Sequence, residues 1–132
     1  FWPASARLVA TPAGGIAGEL VYAGRASFHE LSPRRLRGAI AVVEYDTGPD
    51  WQRVFSMGAR AVLVLHNERA GGFEMRTFDA RIPVDLPRAY VTDPALAEQI
   101  RRERVISPAR LEIESAWERR TASNVYGLFA PS

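Results

Sequence analysis

The chain contains no cysteine. That absence removes disulfides, thiolate catalysis and sulfur-ligated metal together, leaves the redox compartment undetermined and makes packing alone responsible for the fold. Lysine is missing as well, because all 17 basic residues are arginine. Basic pairs stand at Arg34-Arg35, Arg101-Arg102 and Arg119-Arg120, but acidic residues are interspersed and no aromatic-basic ladder runs along the chain. The net charge is only +2, so the sequence pI of about 9.5 is weak support for a polyanion, and no nucleic-acid partner is expected. Histidine is scarce: His29 and His66 lie far apart, without ligand spacing, and no metal or other cofactor is expected within this chain. The longest apolar runs are strand-sized, too short to span a bilayer, and no membrane partner is expected.

What remains is one domain's worth of sequence, residues 1–132, with 47% hydrophobic and 24% charged residues and many turn formers. The chain starts at Phe1 without a charged-then-apolar leader, which suggests a mature product or a piece excised from a longer protein, the second being favoured.

The most informative stretch is Gly38 to Leu65. The apolar run Ala39-Ile40-Ala41-Val42-Val43 and a second run, Ala61 to Leu65, are joined by a segment in which Trp51, Val54 and Phe55 fall on one helical face. That pattern predicts a β-α-β crossover between buried parallel strands, with Asp50 or a neighbour capping the helix and Gly58 ending it in the left-handed conformation. Upstream, Arg7 to Ala10 and Glu19 to Ala23 read as strands around a turn at Thr11 to Gly15, and Ser27 to Arg37 as a loop. Downstream, Pro87 to Thr92 reads as a strand leading into the clearest helix signal in the chain. Asp93 is its N-cap and Pro94 its first residue; Leu96, Ala97 and Ile100 form the apolar stripe, and a Glu98–Arg102 pair is expected on the outer face. After Ser107-Pro108, the alternation from Leu111 to Glu118 fits a half-wet strand, and Asn124 to Phe129 a final one. The expected fold is α/β, a mixed sheet with two helices and one long connection over residues 66–86.

Candidate chemistry is sparse. Ser56 lacks the flanking glycines of a nucleophile elbow, and Glu112 and Glu114 share one strand face with Glu118, which a solvated face explains. Gly14-Gly15 and Gly71-Gly72 fail phosphate-loop spacing and read as turns. Trp51, Phe55 and Met57 read as core rather than pocket. In the long connection, Phe73 and Phe78 stand among Glu74, Arg76 and Asp79; they either tuck under the loop or face a partner.

Asp50-Trp51, Gly58-Ala59-Arg60-Ala61-Val62, Asn67, Ile82-Pro83-Val84-Asp85-Leu86-Pro87-Arg88 and Thr121-Ala122-Ser123-Asn124-Val125 occur in an order and spacing that resembles the protease-associated domain, from about Glu19 onward. They look most like the variant attached to bacterial zinc aminopeptidases of the two-metal co-catalytic type. The resemblance implies a mixed sheet or open barrel flanked by two helices. It also implies a non-catalytic role beside an active site, with zinc and the general base supplied by a separate peptidase domain, and a secreted or cell-envelope location. The commoner family pattern places a cysteine and a phenylalanine before the helix, where this chain has Asp50-Trp51. No catalytic residue carries over. Candidates for contact with a peptide, a protein substrate or the peptidase domain of the same chain are Asn67, Arg69, Phe73, Arg76, Phe78 and Arg88, unless the loop simply packs on its own sheet. Two other readings stand beside this one: a stand-alone peptide- or protein-binding module of a receptor-like protein, and a small free-standing enzyme, against which the residue inventory argues.

Overall fold

In the computed structural model, which describes residues 10–31, 33–67, 86–114, 116, 118–119 and 121–123, the run after Gly38 becomes a central strand. In chain order the elements are β1 (Ile16–Tyr22), α1 (Pro33–Leu36), β2 (Ile40–Glu44), a 3-10 helix (Tyr45–Gln52) continuing into α2 (Arg53–Ser56), β3 (Ala61–Leu65), β4 (Arg88–Val91), α3 (Pro94–Glu103) and β5 (Val105–Leu111). Among the described residues they build one sheet in the order β4-β3-β2-β1-β5. The first four strands are parallel, and β5 runs antiparallel along β1. This is an α/β fold with a mixed sheet.

Continuous apolarity in β2 reflects burial on both faces. Ala41 and Val43 join Val62 and Val64 of β3 beneath Leu36, Trp51 and Val54. Ile40 and Val42 point the other way: Val42 meets Leu65, Val91 and the α3 residues Ala97 and Ile100, and Ile40 meets Ile16 and Ala61. Period-two alternation sorts these side chains between the layers. Each fully buried Val, Leu or Ile contributes about 1.5–3 kcal/mol of apolar transfer, so the crossover unit carries much of the stability.

The crossover differs from its sequence reading in one respect. Gly48 adopts φ 57° and ψ −134°, and Pro49 follows, so the path from Tyr45 is a kinked 3-10 helix, and regular α-helix starts only at Arg53. Asp50 caps nothing; its carboxylate instead meets Arg53 Nη1 at 2.6 Å. Trp51 is nonetheless fully buried, with the Phe55 ring edge-on at 6.0 Å. Gly58 ends the turn at φ 92°, as the sequence predicts.

Other boundaries shift for identifiable reasons. β1 begins at Ile16, three residues earlier than the apolar pattern suggests, because β5 extends its pairing as far as Ile16↔Leu111. The Ser27 to Arg37 stretch holds the short α1, fixed by burial of Leu36. The last described strand is Val105–Leu111 rather than Leu111 to Glu118, so Ser107-Pro108 lies inside a strand instead of before one. Its pairing with β1 steps from Gly18↔Ala109 to Leu20↔Ile106, one extra residue on the β5 side, and a bulge at a sheet edge is where proline is tolerated. On α3, Asp93 Oδ1 accepts from the backbone N–H groups of Ala95 and Leu96, the expected cap. Ala97 and Ile100 are buried, whereas Leu96 is exposed, and Glu98 pairs with Arg101 in place of Arg102. The strands expected at Arg7 to Ala10 and Asn124 to Phe129 are not within the described residues, apart from Ala10.

The Gly58 turn sits against Arg37. A Cβ at position 58 would lie 3.3 Å from the Arg37 Cα, on a backbone that L residues rarely adopt. Gly58→Ala is therefore expected to cost about 1–2 kcal/mol, and Trp51→Ala about 3–5 kcal/mol, both read as lowered denaturant midpoints at unchanged slope. Equal midpoints for Gly58→Ala and the parent chain would refute the strained-turn account.

Candidate functional site

The parallel strands end on polar side chains: Tyr22 on β1, Glu44 on β2, and His66 and Thr92 just past β3 and β4. Crevices beyond the carboxyl ends of parallel strands are where α/β sheets place ligands. Helix α3 occupies this edge. Only Thr92 and Asp93 separate it from the end of β4, and only Arg104 separates it from β5, whose first residue pairs with Val21 at the end of β1. Both ends of the helix are thus tied to the same edge. Its length of about 15 Å plus these flanks covers the roughly 19 Å from β4 to β5. Arg104 makes the reversal possible with a left-handed φ of 66°, its N–H bonded to the Ile100 carbonyl and its guanidinium 4.7 Å from the Tyr22 ring centre.

One ionic network fastens α3 to the sheet. Arg101 Nε donates to Glu44 Oε1 at 2.8 Å and Nη2 to Oε2 at 2.9 Å, a two-pronged contact, while Nη1 donates to Glu98 Oε1 at 2.6 Å. The Tyr22 hydroxyl donates to Glu44 Oε1 at 2.7 Å. The side chains of Glu44 and Arg101 are 18% and 30% exposed, so the pair is shielded without being sealed. The Arg101 hydrogen bonds hold the Glu44 carboxyl below the usual glutamate range, helped by the Tyr22 hydroxyl and opposed by burial. Burial first, and then the Glu44 acceptor, push the Tyr22 phenol up to about 12. Arg101 is raised by its Glu44 bonds and stays charged.

Beside this network opens a groove of about 360 Å³ between the ends of β3 and β4 and the first turns of α3. His66 and Asn67 form one side; the His66 N–H continues the strand pairing by donating to the Val91 carbonyl at 3.0 Å. Val91, Pro94 and Ala97 supply apolar wall, and Asp93, Glu98 and Arg101 the charge. The volume falls within the range of small-molecule pockets. Among the described residues, no group of three or more His, Asp or Glu side chains is placed to hold a metal ion. A smaller recess of about 130 Å³ lies at the end of β1, lined by Tyr22, Glu30, Arg35 and Arg104 among others. There the Glu30 carboxylate closes its own loop, accepting from Ser27 Oγ and from the N–H groups of Arg25 and Ser27; the Ser27 hydroxyl leads in holding it below its usual range.

Of the contact candidates named from sequence, Asn67 lines the groove. Arg88 lies elsewhere, at the start of β4, 8% exposed, with its guanidinium 5.9 Å from the Trp51 ring centre and Nη1 3.4 Å from the Leu86 carbonyl. The two are not brought together: Arg88 registers with Val62 near the start of β3, Asn67 follows its end. Arg69, Phe73, Arg76 and Phe78 lie outside the described residues. The sequence reading assigns no site role to Tyr22, Glu44, Glu98 or Arg101. The available signal was positional: the first polar group after each buried run marks a strand's carboxyl end.

Fold and groove together define an α/β domain with a cleft at the carboxyl edge of its parallel strands. Compared with known proteins, the chain matches no family model, and no curated protein and no solved structure is similar enough to count as a match.

The network makes a pH-dependent contribution of definite sign. Glu44 binds its proton less tightly in the folded chain than in the unfolded one, so its contribution is complete above the ordinary glutamate pKa of about 4.3 and is lost as pH falls through the lower folded value. Glu44→Gln should cost about 1–2 kcal/mol at neutral pH and flatten the decline of stability between about pH 5 and 3. Denaturant melts across that range check it, and parallel curves for the two proteins would refute the assignment.

Proposed function

We propose that this chain is a protease-associated domain that flanks the catalytic domain of a zinc peptidase of the two-metal aminopeptidase kind, shaping substrate access or protein contacts without catalysing the reaction itself. The observation that carries this reading is the meeting of two separated parts of the resemblance. Arg88, which ends the Ile82 to Arg88 segment, reaches the ring of Trp51 from the Asp50-Trp51 pair. A shared motif whose distant parts interlock in the core is easier to account for as one inherited unit than as independent short matches. Further support comes from Asn67, which opens the connection over residues 66–86 at the same sheet edge as the groove. On this reading zinc belongs to the peptidase domain, the partners are that domain and a peptide or protein substrate, and the setting is the cell envelope or beyond it.

A second reading, a self-standing peptide- or protein-binding module, is favoured by the groove itself, whose volume of about 360 Å³ and mixed apolar and charged lining suit a ligand. Neither reading calls for a membrane-embedded helix, and among the described residues no helix is long and apolar enough to cross a membrane.

The test is the peptidase activity of the polypeptide that carries these residues, with and without residues 1–132, against aminoacyl and peptide substrates, beside the isolated chain supplied with zinc. The proposal expects the whole polypeptide to cleave, the isolated chain to be inert, and the deletion to change relative kcat/KM among substrates. Cleavage by the isolated chain would overturn it. A whole polypeptide without metal-dependent peptidase activity would leave the binding-module reading in its place.

A further inference from the structure

The groove beside α3 has an uneven distribution of charge and donors. All three nitrogens of the Arg101 guanidinium already donate to carboxylates, two to Glu44 and one to Glu98. Among the described residues Asp93 engages only Oδ1, on the helix cap. Among the described residues Glu98 uses only Oε1, and its side chain is 74% exposed at the mouth. The lining carries two carboxylates, Asp93 and Glu98, against one guanidinium, which Glu44 already pairs from behind. A ligand entering here thus meets carboxylate oxygens at the rim, a guanidinium with three of its five N–H donors already given to carboxylates, and an apolar base where Val91 and Ala97 are buried.

We infer that this groove binds a small organic cation, a primary ammonium group held at the mouth by Asp93 and Glu98 with a short branched apolar body seated against Val91, Pro94 and Ala97. Charge complementarity selects the ammonium, and the depth order, carboxylates outside and hydrocarbon inside, selects its orientation. The same order disfavours a lysine side chain, whose ammonium sits at the far end of an unbranched stem. An anion is disfavoured by Asp93 even though the groove includes a helix N-terminus, because the cap carboxylate already fills that position. The site is a property of the groove alone and holds whether or not the chain flanks a peptidase.

The test uses amide-resolved NMR titration of the 132-residue chain with 3-methylbutylammonium, with 3-methylbutanol as the neutral isostere and 3-methylbutanoate as the anionic counterpart. Leucinamide and N-acetyl-lysinamide distinguish an ammonium beside a branched body from one at the end of a stem. The ammonium probe should bind with a Kd on the order of millimolar, shifting the amides of His66, Asn67, Ala97 and Glu98. Glu98→Gln and Asp93→Asn should each weaken it about two- to fivefold, and asparagine retains the capping ability on which the helix depends. Leucinamide should bind more tightly than N-acetyl-lysinamide. Equal binding of the alcohol, shifts centred away from the groove, or affinity unchanged in Glu98→Gln would each overturn the proposal. Tighter binding of N-acetyl-lysinamide would overturn the orientation.

Discussion

The bond between Arg101 and Glu44 is the constraint on which the carboxyl edge of this domain depends. Four of the sheet's strands run the same way, so their polar ends collect on one side, and something must satisfy them there. The chain sends α3 back across that side and joins it to the middle strand by a guanidinium whose nitrogens all find carboxylate oxygens. Removing Arg101 would leave Glu44, mostly shielded, with the Tyr22 hydroxyl as its hydrogen-bond donor among the described side chains and the Arg25 charge further off. A shielded charge stripped of its counter-ion is far costlier than the net worth of the pair. The bond therefore matters more for where α3 lies than for how stable the chain is.

On the other face of the sheet, a bulky aromatic does the equivalent work. Trp51 sits at the junction of the crossover, with Phe55 edge-on and Arg88 near its ring, and it draws β2, β3 and β4 onto one layer. Together the two fixtures explain why the groove stands between β3, β4 and α3. The strands are set from below by the tryptophan layer, the helix is set from above by Arg101, and the space between them is what remains.

Much of this was legible in the amino-acid order, because burial on two faces writes an unbroken apolar run and a helix cap writes Asp-Pro. Gly58, the β2 and β3 runs and the Asp93 cap follow from such local rules. What escaped was decided by pairing at a distance. β5 takes up Ser107-Pro108 because β1 offers an edge that accommodates a bulge, and no property of residues 105–111 alone announces that. Glu98 pairs with Arg101 rather than with the expected Arg102 because Glu44, 57 positions from Arg101, holds that guanidinium on the same side. The groove was hidden for the same reason: of the two described contact candidates, Asn67 and Arg88, Asn67 lines it, and its companions Asp93, Glu98 and Arg101 have complete explanations as cap and helix surface.

The connectors of α3 carry one further consequence. With two residues at one end and a single left-handed arginine at the other, the helix is a strut with almost no slack, and lifting it would unpair β5 from β1 or break the β4 junction. It cannot swing aside as a lid does. A ligand of the groove would then be admitted by side-chain rotation at Glu98 and the other exposed groups at its mouth, on the picosecond-to-nanosecond scale of exposed rotamers rather than the slower scale of moving elements. The cavity's width is set by covalent connection, and what passes is decided by its lining.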